Sequence, residues 1–477
     1  MARLLAAGAA CDARAEGGAT PLHFACALGH EACVRVLLRA GASRDATMDD
    51  DTTPLHCACE QGHTACVRAL VEVGADVEAV NVVGDAALHV ACSRGHEACV
   101  SALLEAGAGM DAKNASGWTP LHVACASCHE ACVLVLLLAG ADKEAASETD
   151  ATPLHVACAA GHEACVLVML GGGADVQATC MGSNTPLHTA CAQGHVACAR
   201  ALLEAGASVC AMDAVGNTPL HSACAAGHAE CVRALLEAGA NKEARMQSGA
   251  TPLLAACMTG HAACVSVMLE AGARPHAADE FGTTPLLVAC MKGHAACVRA
   301  LLSAGARPDA AGQRGVTLLH KACQRGHEGC VRALVEAGMN TEAVACGKST
   351  ALHYACHYGH AACASVLLEA GANKEARDGN EARPLYTASN AGRVACVHAM
   401  LEAGAQVDAV TLYSTTPLLA ACYRGHDACA RLLLEAGANI EALDLEGDTP
   451  LRVACQCGHA ACVRVLVTAG AELEKTW

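Results

Sequence analysis

Aromatic side chains are nearly absent: the 477 residues include five Tyr, two Trp and two Phe. A chain of this length ordinarily divides into domains of about 100 to 200 residues, each cored around such side chains. Two Phe cannot fill several cores of that kind. The packing must therefore use small side chains in close-set helices, not a β-sandwich or a large α/β enzyme. Long hydrophobic runs are missing as well. The stretch from Ala131 to Ala141 falls well short of the roughly 20 apolar residues that cross a bilayer, so no membrane insertion is expected. Positive charge is scarce, with 31 Lys and Arg against 48 Asp and Glu and a net charge of -17. Indiscriminate binding to nucleic acid or anionic lipid needs a positive field, so no nucleic-acid partner is expected. Neither a phosphate-cradling glycine loop nor a catalytic-triad pattern occurs, which speaks against an enzyme. Disorder is excluded by a hydrophobic fraction of 53% with mixed charge.

What is abundant is cysteine, at 34 residues. Disulfide frameworks of that density belong to short secreted domains that cannot build a core. This chain is long, and Met1 to Ala10 carries one Arg and few apolar residues before Gly8, which does not read as a secretory leader. Reduced thiols in a cytosolic or nuclear setting are the expectation.

Internal periodicity organises the rest. A Thr-Pro-Leu-His-like tetrapeptide begins at Thr20, Thr53, Ala86, Thr119 and onward to Thr449, fourteen times at intervals of 33 residues without insertion or deletion. Each repeat reads Thr-Pro-Leu-His-x-Ala-Cys-x-x-Gly-His-x-Ala-Cys-Val-x-x-Leu-Leu-x-Ala-Gly-Ala, followed by a variable stretch. Thr is a helix N-cap, and Pro fits the first helical position, where its missing N–H costs nothing. Gly29 and Gly41, with their equivalents, are placed to end the two helices. The pattern predicts helix, turn, helix and then a projecting hairpin.

This pattern resembles the ankyrin repeat, with its Thr-Pro-Leu-His start, Gly-His turn and Leu-Leu-x-x-Gly-Ala second helix. The resemblance implies an all-α solenoid of about fourteen stacked helix-turn-helix repeats with short β-hairpin fingers. One continuous stack is expected over residues 20–477, preceded by a partial repeat in 1–19, where Leu4 to Ala9 matches a repeat's end. Met1 enters halfway through a second helix and Ala471 to Trp477 stops just after one, so a covalent continuation or a partner covering the uncapped ends is expected. The implied function is that of a non-catalytic scaffold or adaptor, binding a protein or peptide on the face made by hairpin tips and first helices. The alternative is a targeting or regulatory region of a larger protein, such as a membrane-to-cytoskeleton linker, a channel's cytosolic region or a ubiquitin-ligase substrate receptor.

The recurring Cys-x3-His-x2-Cys, as at Cys26, His30 and Cys33, has metal-ligand spacing, but a structural zinc site needs a fourth ligand. The preferred reading is packing, because free Cys behaves as a small buried hydrophobe. Disulfide and metal roles stay open as alternatives, and no cofactor is expected. First-helix histidines such as His56 and His122 lack a recurrent nucleophile and pocket; the resemblance implies that they fold back on the Thr cap. Second-helix pairs such as Arg68 with Glu72, Arg200 with Glu204 and Arg332 with Glu336 are expected as i,i+4 ion pairs. Eleven of the fourteen repeats place an acid just after that helix, for example Asp45, Glu78 and Asp111. This looks like a repulsive ladder, costlier at low salt.

Specificity in repeat proteins resides in residues that break the consensus. All five Tyr fall between residues 354 and 423, and residues 284–430 hold 13 Lys and Arg against 11 Asp and Glu. Aromatic and Arg enrichment marks protein interfaces. The candidate partner-binding set is Lys292, Arg314, Lys321, Arg325, Tyr354, His357, Tyr358, Tyr386, Arg393, Tyr413, Tyr423 and Arg424. The repeat starting at Arg383 departs most from the pattern and, having lost its cap, should be locally weak. A second candidate is an apolar patch, Leu134, Leu138 and Leu167, where other repeats carry charge.

Overall fold

The structure, a computed structural model, describes residues 11–308 and 315–472. Leu4 to Ala9 and Arg314 lie outside the described residues. Among those described are 28 α-helices in fourteen pairs, a short first helix such as Pro54–Glu60 followed by a longer second helix such as Thr64–Glu72. Two compact bodies are formed, residues 1–247 and 248–477. In each, first helices pack on first helices and second on second, as Pro21–Ala27 does on Pro54–Glu60 and Ala262–Glu270 on Ala295–Ser303. The fold is an all-α solenoid. No described helix is long and apolar enough to cross a membrane.

Local chemistry explains each helix start. Thr119 is extended, with ψ 164, Pro120 occupies the first helical position, and the Thr119 N–H donates to His122 Nδ1 at 3.2 Å. The same ring nitrogen lies 2.9 Å from the Thr119 hydroxyl. His122 Nε2–H then donates at 2.9 Å to the carbonyl of Ala151, the residue just before the next repeat's Thr152. One neutral imidazole thereby caps its own helix and pins the following loop. His23, His56, His89, His155, His188, His320 and His353 do the same at 3.0 to 3.1 Å. Even where Ala86 replaces Thr, its backbone N–H still donates to His89 Nδ1.

The turn histidines have a different task. His63 Nε2–H donates to the Ala27 carbonyl of the preceding repeat at 3.2 Å, and His96 and His195 repeat the contact on Glu60 and Ala159. Their rings lie over the turn glycine of that preceding repeat. At Gly161, whose φ is +77, a Cβ would come within 2.4 Å of the His195 ring. Both the left-handed backbone and the close approach therefore demand glycine.

The core is thin. Leu22, Cys26, Val34 and Leu37 are fully buried, and the same columns of Ala, Cys, Val and Leu recur through both bodies. Each fully buried Leu contributes about 1.5 to 3 kcal/mol. Thiols of the first-helix column face those of the next repeat's second helix, as Cys26 faces Cys66 and Cys59 faces Cys99. Burial pushes the Cys59 and Cys92 thiols far above their ordinary range, so they remain protonated hydrophobes.

The connections between helix pairs differ from the expected β-hairpins. Among the described residues the isolated bridges are Val80 with Ala86 and Cys180 with Asn184, and the loops are built mainly from side-chain-capped turns. Asn114 Oδ1 accepts from the Ser116 and Trp118 N–H groups, and Asp378 Oδ1 from Asn380 and Ala382. A single backbone bond ties most of the described tips to the one before, as in Ala115 N–H to Val83 O and Leu412 N–H to Asn380 O.

Two charge expectations are corrected. Arg68 pairs with Glu105 of the next repeat at 2.9 Å, Arg200 with Glu237 at 3.2 Å, and Arg332 with Glu328 and Glu369 at 3.0 and 3.5 Å, instead of the acid four residues later. Helical side chains lean toward the N-terminus, so an Arg reaches backward or across more readily than forward. The acids after the second helices do not form a merely repulsive row. Asp45 accepts the Asp76 N–H at 2.8 Å, Glu78 the Gly109 N–H at 2.6 Å, and Glu342 the Asn373 N–H at 2.9 Å. Each of these three carboxylates satisfies a backbone donor of the next repeat.

Candidate functional site

The candidate residues that can be placed lie in the body of residues 248–477, apart from the leucine patch. Three first helices, Pro384–Asn390, Pro417–Arg424 and Pro450–Gln456, stand side by side there. Between them and the loops at 413–415 and 444–446 opens a groove of about 450 Å³. Its floor is apolar, with Leu419 and Val453 buried. Its rim carries Tyr413, Tyr423 and Leu445, at 61%, 57% and 67% exposure. Tyr386 closes one end, half-buried, and burial pushes its phenol up while nearby Arg424 opposes that shift. The Arg424 guanidinium lies 5.6 Å from the Tyr423 ring centre, and its Nε–H donates to Asn390 Oδ1 at 3.3 Å. Asp444 and Glu446 line the opposite side, so the groove offers one cation, two carboxylates and three phenols around an apolar floor.

A chemical reason exists for an opening at this place. The fourth residue of a repeat is usually the histidine that bridges to the following loop. Here Tyr386 and Leu419 occupy that position. Leu419 has no ring nitrogen, and Thr416 caps the helix alone by accepting the Leu419 N–H at 3.3 Å. The loops past these two residues are consequently not drawn onto their first helices by an imidazole. Leu287 makes the same exchange beside a smaller concavity of about 150 Å³ that Lys321 helps line.

A neighbouring hollow of about 240 Å³ gathers Tyr354, His357 and Tyr358 with Asp378 and Thr387. The Tyr354 ring packs edge-on against His320 at 5.0 Å, and His357 packs edge-on against Tyr358 at 4.9 Å. The Tyr358 hydroxyl accepts a hydrogen bond from Gln324 Nε2 at 3.0 Å.

The remaining candidates separate from this group. Lys292 and Arg325 stand exposed in the last turns of their first helices, where a cation also offsets the helix dipole. Arg393 fills the place of a turn histidine, its Nε–H donating to the His357 carbonyl at 3.1 Å. The side chain is thereby engaged in the stack. Arg383 gives no cap, yet its helix forms; the guanidinium pairs with Glu375 and Gln406, while its Nε is buried without a partner. In the other body, Leu134, Leu138 and Leu167 are 48%, 79% and 51% exposed. Leu134 and Leu138 line a shallow surface of about 580 Å³ with Leu137 and Val168, and Leu167 lies outside that lining.

Sequence reading missed Leu445, Asp444 and Glu446 on the rim and Leu419 in the floor. The available signal was the fourth position of each repeat, where an apolar residue removes the bridge. The carboxylate oxygens of Asp444, Glu446 and Asp448 lie within 4.8 Å of one another. Asp444 Oδ1 is already occupied by the Glu446 and Asp448 N–H groups, and Asp448 pairs with Arg452 at 2.9 Å.

Helix pairs stacked through recurring small-residue columns, with variable side chains gathered on loops and first helices, define a repeat solenoid. A family model described as ankyrin repeats (3 copies) matches the chain in overlapping segments, residues 1–81, 74–147, 143–213, 209–279, 241–312, 268–345, 305–378, 340–411 and 385–476. The chain belongs to the ankyrin repeat family. No curated protein matches it in sequence. Ankyrin repeats are in general protein–protein interaction modules and typically non-catalytic.

Proposed function

We propose that the protein is a scaffold or adaptor that docks an extended segment of a partner protein on the loop and first-helix face of residues 384–453. The observation that carries this reading is the shared groove of Tyr386, Tyr413, Tyr423 and Arg424 over Leu419 and Val453. Exposed Tyr beside Arg over an apolar floor is the composition of energetic centres in protein interfaces. An aliphatic side chain of the partner fits the floor, a basic residue faces Asp444 and Glu446, and an acidic one faces Arg424. Tyr354, His357 and Tyr358 extend the surface along the segment, with Lys321 beyond them. A cytosolic or nuclear location accords with the protonated thiols.

The test is affinity capture with the full chain and with a triple variant, Tyr413→Ala, Tyr423→Ala and Arg424→Glu, captured proteins being identified by mass spectrometry. The main partner captured by the wild type should be lost by the variant while circular dichroism is unchanged, and a photoreactive residue at 413 should crosslink to that partner. Undiminished capture by the triple variant would sink the proposed groove. Arg393 is left intact because reversing its charge would also disturb the stack.

A further inference from the structure

Along the stack, one backbone donor after another is met by a carboxylate of the preceding repeat. Asp45 takes the Asp76 N–H at 2.8 Å, Asp111 the Asp142 N–H at 2.9 Å, Glu144 the Asp175 N–H at 2.8 Å and Glu375 the Gln406 N–H at 2.8 Å, each acceptor 31 residues before its donor. His276 stands where these acids stand, and Arg307 lies 31 residues beyond it. The Arg307 N–H has no hydrogen-bond partner among the described residues. Gln177 and Cys210 also replace the acid, but neither puts a cation there. Arg307 reverses sign in turn, since its counterparts include Asp76, Asp142, Asp175, Asn241 and Asn373.

The same place is hollow. His276, Arg307 and Lys321 line the concavity of about 150 Å³ together with Leu286, Leu287 and Leu318. Leu286 and Leu318 are buried in its floor, and Leu287 is half-buried. Leu287 takes the position of a bridging histidine, so no imidazole draws the Val316 carbonyl, 29 residues on, toward its helix as His320 draws that of Ser349. Arginines elsewhere in this acidic chain find carboxylates, as Arg68 and Arg332 do. The side chains of His276, Arg307 and Lys321 make no hydrogen bond or ion pair with any described residue, and no carboxylate is among the described lining residues. An open N–H, cations without a counter-ion and an apolar floor complement a carboxylate on a short aliphatic stem.

We propose that this concavity binds an acidic side chain of a partner peptide, whose carboxylate takes the place left by the acid that His276 replaces. The incoming carboxylate accepts from the Arg307 N–H as Asp45 accepts from that of Asp76, with the cations of Arg307 and Lys321 beside it. Its methylenes lie on Leu286 and Leu318. A cavity this small takes one side chain, so the rest of the peptide runs over the exposed loops. The site shares no lining residue with the groove of residues 384–453 and goes beyond that reading. Because Arg307 is exposed, the attraction weakens as salt rises.

The probe is an array of acetylated, amidated peptides with a single Glu among varied apolar neighbours, beside counterparts carrying Gln or phosphoserine at that place. Full-length wild-type protein should retain a subset of the Glu peptides about tenfold more than their Gln counterparts, a preference that high salt reduces. Lys321→Gln should weaken this by up to about fivefold. His276→Glu supplies the stack's own carboxylate; it should bring the Glu peptides down to the level of Gln and raise the urea midpoint above that of His276→Gln. The triple variant of Tyr413, Tyr423 and Arg424 should bind the array as the wild type does, so failure of either site leaves the other standing. The proposal is overturned if no Glu peptide is preferred over its Gln counterpart, if phosphoserine peptides alone are retained, or if His276→Glu keeps the preference with circular dichroism unchanged. Equal urea midpoints for His276→Glu and His276→Gln would also overturn it, because the Arg307 N–H would then gain nothing from a carboxylate.

Discussion

Replacing His122 by Leu should flatten the acid sensitivity of the first body. His122 is fully buried, and burial, the largest influence, lowers its basicity; the bond to Ala151 O opposes this, nearby Lys113 adds to it and Asp142 opposes it. His23, His56, His89, His155, His188, His320 and His353 are lowered in the same direction, with burial again first. A neutral ring that must accept from Thr119 and donate to Ala151 cannot take a second proton without losing a bond. Below an ordinary value of about 6.5 the unfolded chain binds a proton that the folded chain refuses, so stability is present above that pH and falls as pH drops through it. The loss is up to about 1.4 kcal/mol per pH unit for each such histidine. Six of the eight lie in residues 1–247. If that body unfolds as one, acid weakens it at all six positions in the same direction. The interval from pH 7.5 to 5.5 spans the ordinary histidine value. Leu is the substitution this protein itself uses, at Leu254, Leu287 and Leu419. Urea unfolding of His122→Leu should cost about 1 to 2 kcal/mol at pH 7.5 through its lost hydrogen bonds. That difference should shrink or reverse at pH 5.5. Parallel pH profiles for the two proteins would refute the reasoning.

Two further substitutions probe the stack. Gly161→Ala should lose about 1 to 2 kcal/mol to its left-handed backbone and more to displacement of the His195 ring. Gly206→Ala, with φ +88 and no atom within 4 Å of the added Cβ, should lose the backbone part alone; equal urea midpoints for the two would show that the ring contact carries nothing. Glu78→Ala should cost about 1 kcal/mol by stranding the Gly109 N–H, Glu78→Gln should cost less, and neither effect should vanish in salt. A stability gain for Glu78→Ala at low ionic strength would restore the repulsive-ladder reading.

Much of the local structure could be read directly. Thr-Pro starts, Gly ends and the Cys and Leu columns depend on residues within one repeat, where spacing alone dictates which face is buried. The roles of the two histidine columns were only half legible: the Nδ1 bond of a first-helix histidine is local, but its Nε2 partner lies 29 residues on, and a turn histidine's Nε2 partner lies in the preceding repeat. The acids after the second helices were misread for the same reason: Asp45 and Glu78 look solvated until the next repeat's N–H arrives. Arg393 looked like a free cation and is a substitute for a turn histidine. Among the described residues the loops carry little strand pairing beyond two isolated bridges, because Asn114, Asp378 and their equivalents bend the backbone onto their own side chains.

The sequence by itself determined the repeat, its helices and the small-residue packing that makes aromatic residues dispensable. It also located the stretch where tyrosines gather. Tertiary structure alone decided which of those tyrosines share a groove, since Tyr386 and Tyr413 stand at opposite ends of one repeat, Tyr423 belongs to the next, and the three line one opening only when helices and loops stack. Contacts within a repeat follow from periodicity. Contacts between repeats depend on how two surfaces settle against each other, and one missing imidazole changes the outcome.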